Sequence, residues 1–436
     1  MNPQGTDPSP APVCSPGAGA SVQEWLNWLE AIHPTEIDLG LDRVLVVLRR
    51  LFPRKPNARI ITVAGTNGKG TTVATLEKLL LSSGRSTGAY TSPHLQNYNE
   101  RVRLNGADIE DAALVKAFEK VEGARGKVSL TYFEFGTLAA FVAFAEAGVE
   151  DWVLEVGLGG RLDAVNVLDA DYAVITSIDI DHIGFLGDNR EVIGFEKAGI
   201  LRRGIFAVCA DPEPPASVLQ QAVAQKVDLQ VTGRDYQLSA SQNDAATMEL
   251  AVGDDLIELP AGPLPVQSVA AAVVLARRLL PDVAPEILGR VARTVTVPGR
   301  FELLRENPRV RVDVGHNPHA ARWLAGRVKA EHGAGGKVHA VYAALADKDV
   351  DGVMAAMKPV VDHWYFAGLD VPRGLSVDAL LAHARGCGVS GGEGYENVSL
   401  ALRAAVAKAG PDDFVVVFGS FYTVAGARAE LIVAAS

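Results

Sequence analysis

Five short stretches of the chain gather residues that bind or move charge. The first is Ile61-Thr62-Val63-Ala64-Gly65-Thr66-Asn67-Gly68-Lys69-Gly70-Thr71-Thr72. Gly65, Gly68 and Gly70 let backbone N–H groups turn toward an anion with no Cβ in the way. Lys69 adds a full positive charge, and Thr71 or Thr72 a hydroxyl for phosphate or metal. The loop departs from the usual G-x-x-x-x-G-K-[ST] pattern at Val63 and Gly70. The alternative is an ordinary glycine-rich turn with a solvated lysine. The combined residues favour a nucleotide site.

The second stretch, Trp152 to Asp163, sets Glu155 at the end of an apolar strand, where an unpaired carboxylate is costly. Two readings stand: an ion pair with Arg161, or a metal ligand. The third, Thr176-Ser177-Ile178-Asp179-Ile180-Asp181-His182, brings carboxylates and an imidazole past another strand. That donor set suits Mg²⁺ or Mn²⁺ better than zinc. Its alternative is a turn with helix-capping aspartates. The fourth, Phe195-Glu196-Lys197-Ala198-Gly199-Ile200, reads by itself as a helix with a solvated lysine. The fifth combines Pro298-Gly299-Arg300-Phe301-Glu302 with Asp313-Val314-Gly315-His316-Asn317-Pro318-His319. Asp313 and His316 follow a strand and precede a helix, so both can face a cleft. His316 and His319 could share a helical face, although capping plus one ligand contact is the better reading than a metal pair. Arg300 is placed to cross the cleft to a phosphate.

These stretches must be carried by strands that alternate with helices. Arg59–Ala64, Trp152–Val156, Tyr172–Thr176 and Ile205–Val208 are continuous apolar runs, as expected of a parallel sheet covered on both faces. Val73, Leu76, Leu79 and Leu80 give helical spacing after the glycine loop, from about Thr71 to a stop at Gly84. Gln237–Leu259 alternates and suggests a small antiparallel appendage. Past Val297–Arg300, a hinge, strand-like runs restart at Val310–Val314, Val338–Ala343, Trp364–Ala367 and Phe414–Phe418. The expected organisation is a disordered tail over 1–20, a large α/β domain over 21–297 and a smaller α/β domain over 298–436. With 436 residues, two domains are the natural division.

The net charge of −11 argues against a general nucleic-acid binder. Cys14, Cys209 and Cys387 form neither a disulfide framework nor a paired metal motif, which fits a reducing cytoplasm. No apolar run is long enough to span a membrane, and the first twenty residues lack a signal-peptide pattern.

Taken together, the motifs resemble the Mur ligase superfamily of ATP-dependent amide-bond-forming enzymes, and within it the dihydrofolate synthase/folylpolyglutamate synthase family. GTNGKGTT, Thr91-Ser92-Pro93-His94-Leu95, Ser129-Leu130-Thr131-Tyr132-Phe133-Glu134, LEVGLGGRLDA, Asp181-His182, EKAGI, PGRFE, DVGHNPHA, Asp347-Lys348-Asp349 and Gly419-Ser420-Phe421 occur in family order, from about Trp25 to Val433. The resemblance implies a P-loop-like ATPase domain and a Rossmann-like C-terminal domain with ATP between them. It implies phosphate contacts at Gly68, Lys69, Gly70 and Thr71, and further ATP contacts at Arg300 and Asp313. Ser92, Glu155 and His182 would hold Mg²⁺, with a carbamylated Lys197 supporting a second ion. Asp38, Leu39, Gly40 and Leu41, then Thr131, Tyr132, Phe133 and Glu134, then Leu162, Asp163 and Ala164 would contact a pterin substrate. His316 and Ser420 would hold the incoming glutamate or the intermediate. Ser268 replaces the asparagine common in the family, which removes one amide from the ATP contacts; Gln267 stands beside it. The implied reaction joins L-glutamate to dihydropteroate, and to the γ-carboxylate of reduced folates, through an acyl phosphate. The implied protein is a monomer. A ligase for cell-wall precursors and an ATP-binding switch are the competing readings. The SLTYFE stretch favours the folate branch, and the acidic and histidine set past the strands disfavours a switch.

Overall fold

The computed structural model describes residues 15–432 apart from 18, 34, 36, 333 and 334. Most of the expected 1–20 tail, and Cys14, lie outside the described residues. The larger body is built on eight strands: β1 (Arg59–Ala64), β2 (Thr87–Tyr90), β3 (Val102–Leu104), β4 (Ala107–Asp108), β5 (Asp151–Glu155), β6 (Tyr172–Ile175), β7 (Phe206–Cys209) and β8 (Asp228–Val231). Their order is β4-β3-β2-β5-β1-β6-β7-β8. From β2 to β8 all pairings are parallel, and β3 and β4 add an antiparallel edge. The central strand β1 has five buried residues in succession, because helices cover both faces of the sheet. On one face, Phe135, Phe141 and Phe144 of the helix Tyr132–Ala147 pack with Trp152 and Trp25. On the other, Leu76 and Leu79 of the helix Lys69–Ser82 meet the alanine- and valine-rich helix Val266–Leu279.

The expected appendage is a three-stranded antiparallel sheet of β9 (Tyr236–Ala240), β10 (Thr247–Val252) and β11 (Asp255–Pro260). After Arg300 the chain enters a second sheet of β12 (Glu302–Arg305), β13 (Arg309–Asp313), β14 (Val338–Tyr342), β15 (His363–Ala367), β16 (Glu393–Tyr395) and β17 (Phe414–Phe418). Its order is β12-β13-β17-β14-β15-β16, parallel except at β12. This is an α/β fold with a central parallel sheet and a smaller C-terminal α/β domain. Among the described residues no helix is long and apolar enough to cross a membrane.

One boundary differs from expectation. The helix after the glycine loop starts at Lys69, not Thr71. Gly68 adopts φ +88° and makes the reversal two residues early, so Lys69 and Gly70 already belong to the first turn.

Candidate active site

The C-terminal ends of β1, β2, β5 and β6 converge on one edge of the larger sheet, where open α/β sheets place their ligands. The loop after β1 is pinned to the segment after β6. Thr66 N–H donates to the Ser177 carbonyl at 2.7 Å, and Asn67 N–H to the Ser177 hydroxyl at 3.1 Å. The Thr176 hydroxyl donates to the Asn67 carbonyl at 2.7 Å. Glycine is required at two points. A Cβ on Gly65 would collide with the Thr176 hydroxyl, and one on Gly68 with the Ser268 hydroxyl, and both backbones have positive φ. The first helical N–H groups are left facing the loop, with no side chain capping them. Thr71 is 1% exposed and its Oγ1 is buried with no hydrogen-bond partner. Lys69 Nζ donates to the Gly65 carbonyl at 3.0 Å. Burial lowers its pKa, against the attraction of Glu155.

A cavity of about 100 Å³ runs past this loop. Lys69, Ser92, Glu155, His182, Lys197, Arg300 and His316 all line it, together with Phe421. Glu155 does not pair with Arg161. That guanidinium turns outward to Glu196 at 2.8 Å, while Glu155 stays 4% exposed with the Ser92 N–H at 3.3 Å. Burial raises the Glu155 pKa, opposed by the charges of Lys69 and Arg300. Lys197 is not on a solvated face. It is 3% exposed, because the helix Arg190–Ala198 packs onto the backbone of Gly160 and Arg161. Burial and then the Lys69 charge push its ammonium down to about 7. His182 sits at φ +52° and is held to about 4 by burial, hence neutral at physiological pH. Among the described residues no three His, Cys, Asp or Glu side chains gather as a metal cage.

A second cavity of about 690 Å³ opens on the other side of the loop. Gly68, Thr71, Ser268, Arg300, Asp313 and His319 border it, as do Met248 of the appended sheet and Trp323 of the C-terminal domain. Ser268 is buried against the loop and lines this cavity. Gly70 lines neither cavity; a Cβ there would stand 3.8 Å from Glu155. Both Asp313 oxygens accept backbone N–H groups, from Phe301 at 2.9 Å and Gly315 at 2.7 Å. Burial raises its pKa, and Arg300 opposes this. His316 and His319 do not act as a pair. His316 Nε2 lies 3.6 Å from Asp181, whereas His319 Nδ1 meets the Asn67 amide at 2.7 Å.

The residues expected to contact a pterin are held by their own local contacts. Thr131 and Glu134 make a capping box at the start of the helix Tyr132–Ala147. Arg43 holds Glu134 with Nε at 2.8 Å and grips both the carboxylate and the carbonyl of Asp38, fixing the segment that leads through Leu39, Gly40 and Leu41. Phe133 packs under Gly157, where a Cβ would stand 2.6 Å from its ring. Asp163 caps the turn Ala164–Val167 and accepts from the Leu158 N–H at 2.8 Å. Burial pushes its carboxyl up to about 6. Leu162 and Ala164 flank it in the same turn. Ser420 is placed differently. Its hydroxyl accepts the Thr423 N–H at 3.0 Å and is 3% exposed, so it caps the helix Phe421–Ile432 and lines neither cavity.

Sequence reasoning gave no role to three residues in this region. Asn67 reaches from the loop to Asn317 at 3.1 Å, Asn317 donates to Asp181 at 2.9 Å, and Lys348 donates to Asp181 at 2.8 Å. Asn67, Asn317, Asp181 and Lys348 thus form a polar chain between the two domains. The available signal was Lys348 between two aspartates in a strand-end loop. Only tertiary structure reveals its partner.

An ATP-sized cleft between a phosphate-loop sheet and a smaller α/β domain is the architecture of a two-domain nucleotide-dependent ligase. The Mur ligase middle domain matches residues 63–245, and the Mur ligase glutamate ligase domain matches residues 299–421. A dihydrofolate synthase/folylpolyglutamate synthase of Escherichia coli (strain K12) is 44% identical over 411 residues, covering 94% of this chain and 96% of that protein. The solved structure of E. coli FolC in complex with DHPP and ADP superposes with a TM-score of 0.92 at 42% identity, covering 97% of this chain and all of that one, 100%. A bifunctional folylpolyglutamate synthase/dihydrofolate synthase with Mn, AMPPNP and L-glutamate bound gives a TM-score of 0.88 at 41% identity, covering 96% and 100%. The chain belongs to the dihydrofolate synthase/folylpolyglutamate synthase family of the Mur ligase superfamily.

Proposed function

We propose that this chain is an ATP-dependent ligase that joins L-glutamate to dihydropteroate, and to the γ-carboxylate of reduced folates. The observation that carries this is the smaller cavity. Lys69, Glu155 and Lys197 from one domain and Arg300 and His316 from the other line it together. A site so divided favours a reaction whose reactive intermediate must be closed off from water.

In this reading Gly68, Lys69, Gly70 and Thr71 bind the phosphates, and Ser268, Arg300 and Asp313 border the nucleotide. Asp38–Leu41, Thr131–Glu134 and Leu162–Ala164 shape the acceptor pocket. The acceptor carboxylate attacks the γ-phosphate, the β–γ bridging P–O bond breaks to release ADP, and Lys69 and Arg300 offset the charge of the transferring group. The amine of glutamate then attacks the acyl phosphate, and phosphate leaves. His316 lines the cavity, with Nδ1 on the Val314 carbonyl at 3.0 Å and Nε2 3.6 Å from Asp181, and helps orient the incoming amine or the intermediate. Ser420 contributes by capping the helix that begins at Phe421.

The residues present fit Mg²⁺. The orphaned Thr71 hydroxyl, the buried Glu155 carboxylate, Ser92 and neutral His182 are a hard-cation donor set. Bound there, magnesium would neutralise charge on the transferring phosphoryl group. Lys197, with its lowered pKa, is suited to take up CO₂ as a carbamate and join a second metal site. We place the domain boundary at 297/298 and read the protein as a cytoplasmic monomer.

Purified protein supplied with ATP, dihydropteroate and glutamate should release ADP and form dihydrofolate, each in a glutamate-dependent way. ADP release indifferent to glutamate, or a preference for a uridine-nucleotide peptide acceptor, would overturn the reading.

A further inference from the structure

The segment between β2 and β3 is held rigidly by one carboxylate. Glu100 accepts the N–H groups of Leu95 at 2.6 Å, Gln96 at 2.9 Å and Asn97 at 2.9 Å. The Thr91 N–H closes the segment on the Arg101 carbonyl at 2.9 Å. One end thereby brings Ser92 to Glu155 in the smaller cavity. The other presents Arg101, a residue with no role so far.

The side chain of Arg101 is held in place without being neutralised. Its Nε donates to His94 Nδ1 at 2.9 Å. The guanidinium carbon lies 5.1 Å from the Tyr98 ring centre and 5.6 Å from that of Tyr132. Tyr98 is itself fixed against Gly136, where any Cβ would collide with its hydroxyl. The two terminal nitrogens of Arg101 have no hydrogen-bond partner, and no carboxylate pairs with it, among the described residues. Elsewhere in this domain Arg43, Arg59, Arg85, Arg103, Arg125 and Arg161 each hold a carboxylate. Arg101 is also near enough to the reaction cavity for its charge to act on Glu155.

The proposed reaction needs a cation in this position. The acceptor carboxylate must approach a triphosphate of the same sign, with its aromatic portion beside Tyr132 and Phe133. Lys69 is folded onto the phosphate loop, and Arg300 stands on the opposite domain. We propose that Arg101 receives the carboxylate of the acceptor through its two terminal nitrogens and orients it for attack, with His94, Tyr98 and Tyr132 holding the guanidinium. Arg101 is thus a further substrate-positioning residue for this ligase. The proposal rests on the folate-acceptor reading above.

The test is equilibrium binding of two ligands in the presence of a non-hydrolysable ATP analogue: dihydropteroate, and the same molecule lacking its carboxyl group. Wild-type protein should prefer the carboxylate by about tenfold or more, the worth of a hydrogen-bonded charge pair. Arg101→Met should abolish that preference while leaving the decarboxylated ligand and the ATP analogue bound as in wild type. Arg101→Lys should restore part of it. The proposal is overturned if Arg101→Met keeps the preference, or weakens both pterin ligands equally, since equal loss marks a packing role. Wild-type protein that binds neither pterin would overturn the folate-acceptor reading itself, and this proposal with it.

Discussion

Lys348 and Asp181 form an ion pair of 2.8 Å across the domain cleft, and their side chains are only 7% and 10% exposed. Burial alone would raise the Asp181 pKa. The ammonium of Lys348 at 2.8 Å and the neighbouring His316 ring hold it well below the usual carboxylate range. Removing one partner of a buried pair costs about 3–5 kcal/mol, and here the cost falls on the closed arrangement. Lys348→Ala should therefore let water reach the acyl phosphate. The ratio of ADP released to product ligated is expected to rise above unity, and a ratio unchanged from wild type would refute the role.

Thr71 offers a cleaner separation of stability from chemistry. A buried hydroxyl without a partner costs about 1–3 kcal/mol. Thr71→Val keeps the shape and removes that cost. Ligand-free protein should melt at the same temperature or higher, while turnover with magnesium-ATP falls about 10- to 100-fold, the worth of one hydrogen bond to a charged group. Calorimetry and steady-state kinetics on the same samples check both halves.

Lys197 carries a pH signature. Its folded pKa is about 7, against an ordinary value of 10.5. Between those two values the unfolded chain binds more protons, so stability rises with pH across that window. Lys197→Met should be more thermostable than wild type at pH 6, and the gain should shrink toward pH 10. The neutral amine is the form that takes up CO₂, so a carbamate should be seen by intact mass in bicarbonate and be absent from Lys197→Ala. Full activity of an unmodified protein would refute the carbamate.

Arg43 links Asp38 to Glu134, two residues of the proposed acceptor pocket. Arg43→Met should raise the KM for dihydropteroate by about tenfold, roughly the loss of one charge-assisted hydrogen bond, and leave the KM for ATP unchanged. Lysine should not rescue it, because a single ammonium cannot reproduce the fork that reaches both carboxylates. Equal changes in the two KM values would instead point to general destabilisation.

Much of this architecture was legible because parallel strands buried on both faces leave uninterrupted apolar runs. β1 and β17 fall where those runs fall. The phosphate loop was legible for a similar reason: its glycines answer to local backbone geometry. Lys197 was singled out only through the resemblance, since by itself a lysine on a short helix looks solvated until Gly159 and Gly160 are seen to admit that helix. The proposed Glu155–Arg161 pair failed because nearness in sequence says nothing of the direction in which a guanidinium leaves a turn. The resemblance put Ser420 at the glutamate or the intermediate, and only the fold shows that its hydroxyl caps the helix Phe421–Ile432. The Asp181–Lys348 pair joins loops 167 residues apart and leaves no local pattern at all.

The division of the sheets has a consequence for biosynthesis. Every strand of the larger sheet and of its appendage is complete by Pro260, and every strand of the second sheet begins at or after Glu302. Among the described residues no strand is exchanged between them. On the ribosome the first domain can finish its pairing before the second emerges, so neither sheet offers an open edge that waits for a distant partner. The reaction cavity, which needs Arg300 and His316, is then the last part to form. A chain released early would carry a finished phosphate loop with no catalytic enclosure around it.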